Sequence, residues 1–140
     1  MTVLCIETSA VLAWLFGEAA GSEVITAINT AEAVVTSALT IAEAERAILR
    51  AVAARLVKEA SAHKLRALLA HEQSKWITMS LTADVLARAG RTFPVEPVRT
   101  LDAIHLATAL AFAEAFPDLQ VLALDRRVRD NAKLLGLALA

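Results

Sequence analysis

The stretch Thr2–Phe16, reading Thr-Val-Leu-Cys-Ile-Glu-Thr-Ser-Ala-Val-Leu-Ala-Trp-Leu-Phe, decides the fold. Thr2–Ile6 is short, β-branched and apolar, which reads as a buried strand. Thr8 and Ser9 are good N-cap residues, so a helical run over Ala10–Phe16 is expected to begin almost at once. A strand that feeds a helix after a few residues is the opening unit of an alternating β/α chain. Glu7 ends that strand beside two better capping residues, so capping does not need it.

The same grammar recurs downstream. Gly17 and Gly21 punctuate a turn, and Ser22 opens a short helix with Val24, Ile25 and Ile28 on one face, giving a helical hairpin. Ala33–Thr36 reads as a second buried strand. Ser37 and Thr40 start a long helix through about Ala54, with Ile41, Ala44, Ile48 and Val52 in one stripe. Another helix follows around Ser61–Ser74, then a brief strand at Trp76–Met79 and a helix from the cap Thr82 to about Gly90. Pro94 and Pro97 enforce an extended loop. The helix from Thr100 to Phe116 is apolar on nearly every side, which marks a helix packed in the middle of the domain. Leu119–Leu124 is a fourth strand, Arg126–Leu135 the last helix, Gly136 its stop, and Leu137–Ala140 an edge strand. Strands alternating with helices predict a parallel sheet covered on both faces.

The 140 residues suit one domain with a real core. A hydrophobic fraction of 57% with 21% charged residues describes a globular chain, not a disordered one. No apolar run reaches the roughly 18 residues of a membrane span, and Glu7 interrupts what would be the apolar core of a signal peptide. The single cysteine, Cys5, rules out an internal disulfide and a zinc knuckle, and the default compartment is the cytoplasm. A net charge of −1 gives no chain-wide signal for nucleic acid, so such binding falls to local patches: Arg46 with Arg50, and Arg126, Arg127 and Arg129. There is no G-x-G-x-x-G and no P-loop.

Four acids stand where apolar runs meet helix starts: Glu7, Glu43, Asp102 and Asp125. Singly, each has an ordinary explanation. Thr40-x-x-Glu43 fits a capping box, Asp102 falls in a first turn after the expected cap Thr100, and Asp125 suits an N-cap. Together they face one crevice, because the carboxyl ends of parallel strands open on a common side. Like charges about 4 Å apart repel by roughly 4 kcal/mol at an effective dielectric near 20, so a cluster needs protons or a cation. Hard oxygen ligands suit Mg²⁺ or Mn²⁺, which can polarise a phosphoryl oxygen and help deprotonate water. His105, one turn beyond Asp102, is expected to be a structural residue that could assist the site. Glu18, Glu59, Glu72, Asp84 and Asp118 read as solvated charges.

These motifs resemble the PIN domain family, and within it the VapC-type toxins of bacterial toxin–antitoxin pairs. The resemblance runs the full length. It rests on Cys5-Ile6-Glu7-Thr8-Ser9-Ala10, on Ser37 through Glu43, on Leu101-Asp102-Ala103-Ile104-His105-Leu106-Ala107-Thr108-Ala109, and on Val121-Leu122-Ala123-Leu124-Asp125-Arg126-Arg127. It implies a three-layer α/β PIN-like domain over residues 1–140, with a mostly parallel central sheet and helices on both faces. It also implies a metal-dependent endoribonuclease in which Glu7, Glu43, Asp102 and Asp125 hold Mg²⁺ or Mn²⁺ and activate water. The implied partners are an RNA substrate, a cognate antitoxin protein and a second copy of the chain as a homodimer, with no membrane. Two positions depart from the family pattern: Glu7 replaces an aspartate, and Ala123 replaces a Thr or Ser two residues before the fourth acid. They leave a second reading open, a catalytically weak PIN-like binding module acting through complex formation. A third reading, a phosphate-accepting signalling domain, needs a lysine at the acids, where Lys58, Lys64, Lys75 and Lys133 are poorly placed.

Overall fold

The first strand, β1 (Val3–Ile6), is buried along its length, and its side chains alternate between two cores. Val3 and Cys5 join one apolar cluster, Leu4 and Ile6 the other, as the period of two in a strand requires. β1 is therefore the central strand of a sheet covered on both faces. Truncating Leu4 or Ile6 to Ala is expected to cost about 2–5 kcal/mol.

The computed structural model describes residues 2–140. After β1 come α1 (Thr8–Leu15), α2 (Gly21–Thr30), β2 (Ala33–Ser37), α3 (Ala38–Ala53), α4 (Glu59–Gln73), β3 (Ile77–Met79), α5 (Ala83–Ala89), α6 (Thr100–Ala115), β4 (Leu119–Leu122), α7 (Arg126–Leu134) and β5 (Ala138–Leu139). The strand order is β3-β2-β1-β4-β5, and every pairing is parallel. Helices α1 to α4 supply the cluster around Leu4 and Ile6, including Val11, Val24, Ile41 and Leu69. Helices α6 and α7 supply the other, with Leu106, Phe112 and Val128, while Val85 of α5 packs on Ile104 and Ala107 of α6. The expected α/β architecture is thus present, and the sheet is parallel throughout.

The order of strands carries the functional consequence. From β1 the chain moves outward through β2 and β3, then crosses to the opposite side of β1 for β4. That reversal opens a crevice at the carboxyl ends of β1 and β4, the usual ligand position in open α/β sheets.

Of the four helix starts beside the acids, three differ from the sequence reading. Glu7, not Thr8 or Ser9, is the N-cap of α1, and its carboxylate accepts from the Ser9 amide at 3.0 Å. Ser37 alone caps α3, accepting from the Leu39 amide at 3.1 Å. Because β2 runs straight into α3, Thr40 already lies inside the helix; it is buried with an unpartnered hydroxyl, and the expected capping box with Glu43 does not form. Arg99, not Thr100, is the N-cap of α6. Elsewhere Thr82 and Asp125 cap as expected. Gly136 follows the end of α7 at φ +83°, where a side chain would be strained. Gly21 has a different reason to be glycine: a Cβ there would stand 2.6 Å from the Ala13 carbonyl oxygen, so only glycine lets α2 start so close to α1.

Candidate active site

Each of the four acids is delivered by the element expected to carry it. Glu7 directly follows β1, Glu43 lies in the second turn of α3, Asp102 in the first turn of α6, and Asp125 caps α7 just beyond β4. Ser9 ties the two strand ends together. Its hydroxyl donates a short hydrogen bond to Glu7 Oε2 and accepts the amides of Leu124 at 2.8 Å and Asp125 at 3.1 Å. One side chain thereby couples the first acid to the backbone of the fourth, across the crevice between β1 and β4.

The acids meet in two pairs. Glu43 Oε1 accepts from His105 Nε2 and, at 2.7 Å, from the Thr8 hydroxyl. His105 Nε2 also stands 3.2 Å from Thr8 Oγ1 and 3.9 Å from Glu7 Oε1. An ionised carboxylate only accepts, so in the contact with Glu43 the imidazole Nε2–H is the donor. On the other side, Arg99 Nε donates to Asp102 Oδ2 at 3.1 Å, and its Nη2 lies 3.9 Å from Asp125 Oδ2. Among the described residues, no three His, Cys, Asp or Glu side chains form a ready cage for a metal ion. The donors that meet these carboxylates within the chain are a buried imidazole and a guanidinium, beside the divalent ion that the sequence reading expects. Carboxylates this close repel, and each pair is drawn to a nearby donor.

Electrostatics divide the glutamates. Burial pushes the Glu7 carboxyl above its ordinary range, against the hydrogen bonds from Ser9. Burial acts on Glu43 too, but the hydrogen bonds from His105 and Thr8, with the charges of His105 and Arg50, hold its carboxyl below the ordinary range. Beside them, the buried Cys5 thiol is raised to about 12 by burial and by Glu7, so it is inert near neutral pH. Behind Glu7 and His105 lies a cavity of about 10 Å³, also lined by Cys5, Ser37 and Thr108. It holds at most about one water, so a substrate must be met on the open side of the carboxylates.

His105, expected as a structural residue that could assist the site, stands against Glu43, and sequence reasoning did not single out Arg99, Glu96 or Asn131. Asn131 is buried and pins the proline loop: its amide group accepts from Val95 N at 2.8 Å and donates to Val95 O and Arg127 O, each at 3.1 Å. Glu96 accepts from the amides of Phe93 and Val98, each at 2.8 Å, closing the loop on itself just before Arg99. At the second departure position, the Ala123 methyl packs in the core with Val121 and Val128, and the Ala123 carbonyl accepts from Arg129 at 2.9 Å. Glu72 is less solvated than expected and pairs with Lys75 at 3.0 Å.

The family model for the PIN domain matches residues 4–134. No curated protein matches the chain. Among solved structures, VapBC2 from Rickettsia felis bound to a DNA fragment from its promoter is similar at a TM-score of 0.65 and 9% identity, over 99% of this chain and 97% of that one. VapC20 of Mycobacterium tuberculosis, described as a Sarcin-Ricin loop cleaving toxin, gives 0.63 and 16%, over 91% and 93%. FitAB bound to a DNA fragment gives 0.69 and 15%, over 98% and 93%. Identities this low speak to the fold, and the family match spans all four acids and the elements that carry them: the chain belongs to the PIN domain family.

Proposed function

We propose that the chain is a VapC-type toxin, an endoribonuclease that hydrolyses RNA phosphodiester bonds, with residues 1–140 working as one PIN-like domain. Glu7, Glu43, Asp102 and Asp125 are its metal-holding and catalytic carboxylates. The observation that carries this reading is the pairing of all four acids around the reversal point of the sheet, with Ser9 bridging Glu7 to Asp125. The structural likeness to VapBC2, FitAB and the Sarcin-Ricin loop cleaving toxin VapC20 supports it.

The donor set is all oxygen, which fits Mg²⁺ or Mn²⁺, ions that keep several waters and need only one or two direct carboxylates. Such an ion, when bound, polarises a phosphoryl oxygen and lowers the pKa of a coordinated water. The chain's own residues do the rest. His105 and Thr8 keep Glu43 ionised and fixed in direction. Ser9 aims Glu7 through its amide and hydroxyl. Arg99 stands at the exposed edge, 69% accessible, where an anionic backbone would approach.

On this reading the partners are RNA, a cognate antitoxin and a second copy of the chain, and the place of work is the cytoplasm. No helix among the described residues is long and apolar enough to cross a membrane. Exposed Ile77, Leu81 and Leu86, on and beside the edge strand β3, offer an apolar surface for a protein partner. A small adjacent or overlapping reading frame encoding a DNA-binding protein would support the antitoxin.

The test is cleavage of RNA by the purified protein with Mg²⁺ or Mn²⁺, with a chelator control and the Asp102→Asn variant. Cleavage by the wild type, abolished by chelator and lowered about a hundredfold or more by the substitution, is expected. Equal cleavage by Asp102→Asn would overturn the assignment. No cleavage and no metal binding would favour the binding-module reading suggested by Glu7 and Ala123.

A further inference from the structure

We propose that Arg99 is a displaceable counter-ion of this site: it neutralises Asp102 and Asp125 when no divalent ion is bound, must release them for an ion to bind, and so weakens the site's metal affinity. The inference rests on the metal-site reading above.

The two pairs of acids differ in what holds them. Glu7 and Glu43 are fixed by four side chains or amides that have little freedom to leave. Asp125 spends Oδ1 on the Val128 amide at 3.1 Å, and the oxygen left over, Oδ2, is the one facing Arg99. For Asp102, whose side chain is 13% exposed, the Arg99 guanidinium is its hydrogen-bond donor among the described residues. The guanidinium thus faces one oxygen of each aspartate, Oδ2 of Asp102 at 3.1 Å and Oδ2 of Asp125 at 3.9 Å.

Arg99 is anchored at its root and free at its tip. Its carbonyl accepts from the Ala103 amide at 2.9 Å, and the preceding loop is held by Glu96 and Asn131. Its side chain is 69% exposed, so swinging into water leaves no buried group unsatisfied on the arginine itself. A divalent ion binding a carboxylate oxygen at about 2 Å places two positive charges where the guanidinium donates, and the two cations repel. Metal and Arg99 therefore compete for the same pair of aspartates.

The test is Mn²⁺ binding by calorimetry to the full chain, comparing wild type with Arg99→Gln, Arg99→Lys and Asp102→Asn. Arg99→Gln is expected to bind Mn²⁺ about fivefold more tightly, the change that an exposed ion pair near the top of its usual range supplies when removed. Arg99→Lys, which keeps the charge but not the fork, falls between the two. Equal or weaker binding by Arg99→Gln overturns the counter-ion role while leaving the metal site intact, and absence of binding by every protein, wild type included, overturns both. A second readout needs no variant: the Arg99 Nε–H resonance of the wild type is expected to shift in step with Mg²⁺ occupancy. A resonance unmoved while the Asp102 amide responds would contradict the proposal.

Discussion

Glu7 and Glu43 gather around a buried imidazole, whereas Asp102 and Asp125 meet at the guanidinium of a side chain that is mostly in water. In the inner half the partners come from α1 and α6: Thr8 and His105 hold Glu43, and Ser9 holds Glu7. In the outer half the partner is the Arg99 side chain, 69% exposed, which water can solvate when it leaves. The contrast assigns different tasks within one candidate site. On the proposed reading, the inner glutamates are oriented before any ligand arrives, and the outer aspartates complete the site when Arg99 withdraws.

Among the residues that hold the acids in place, the inner half's His105 should have the largest effect. His105→Ala removes the donor that fixes Glu43 and is expected to lower RNA cleavage by roughly 10- to 100-fold, the usual cost of losing a residue that orients a ligand. It should also lower the urea midpoint, since Thr8 and Glu43 lose a buried partner. Unchanged cleavage would return His105 to a purely structural role. The outer half depends instead on the loop that carries Arg99. Asn131→Ala strips the Val95 amide and carbonyl of their partners and should cost about 2 kcal/mol in chemical denaturation. A loss within the error of the measurement would mean that the loop does not need the pin.

A smaller, pH-dependent effect sharpens the difference inside the inner pair. Glu43, held below its ordinary value of 4.5, contributes stability that is present above that value and is lost as pH falls through its depressed folded value. Glu7 runs the other way. Its folded value is raised above 4.5, so its contribution is present below 4.5 and is lost as pH rises through the raised value. Glu7→Gln, which removes the buried charge, should therefore gain stability relative to wild type as pH rises from about 4 to 7. Denaturation midpoints for the two proteins across that range check the sign, and parallel curves would show that Glu7 carries no such penalty.

The parts of this site that were legible in the sequence are those fixed by local pattern. Strand-end positions placed Glu7 and Asp125 at the carboxyl edge of a parallel sheet, and the apolar surroundings of α6 made Asp102 and His105 conspicuous. What local pattern hid has physical causes. Thr40 and Glu43 have capping-box spacing, but β2 joins α3 without a loop, so the helix begins at Ser37 and leaves Glu43 free to reach His105. Glu7 caps α1 although Ser and Thr are better caps, because Ser9 is occupied by the amides of Leu124 and Asp125 more than a hundred residues away. Arg99 and Asp102 stand three residues apart, a spacing that does bring helix side chains together. Its reach to Asp125 depends on how α6 lies against β4, which no short window encodes. Asn131 was silent for the same reason: a polar residue in an amphipathic helix reads as solvent-facing until the proline loop is seen to cover it.

Mn²⁺ affinity measured for Glu43→Gln and Asp102→Asn beside the wild type tests most directly whether the two halves make one site. Shared ligation predicts a single class of bound ion, weakened about tenfold or more by either substitution, with the double variant losing less than the sum because both act on the same ion. Wild-type affinity retained by one of the two variants would place the ion in one half alone and contradict a site built from all four acids.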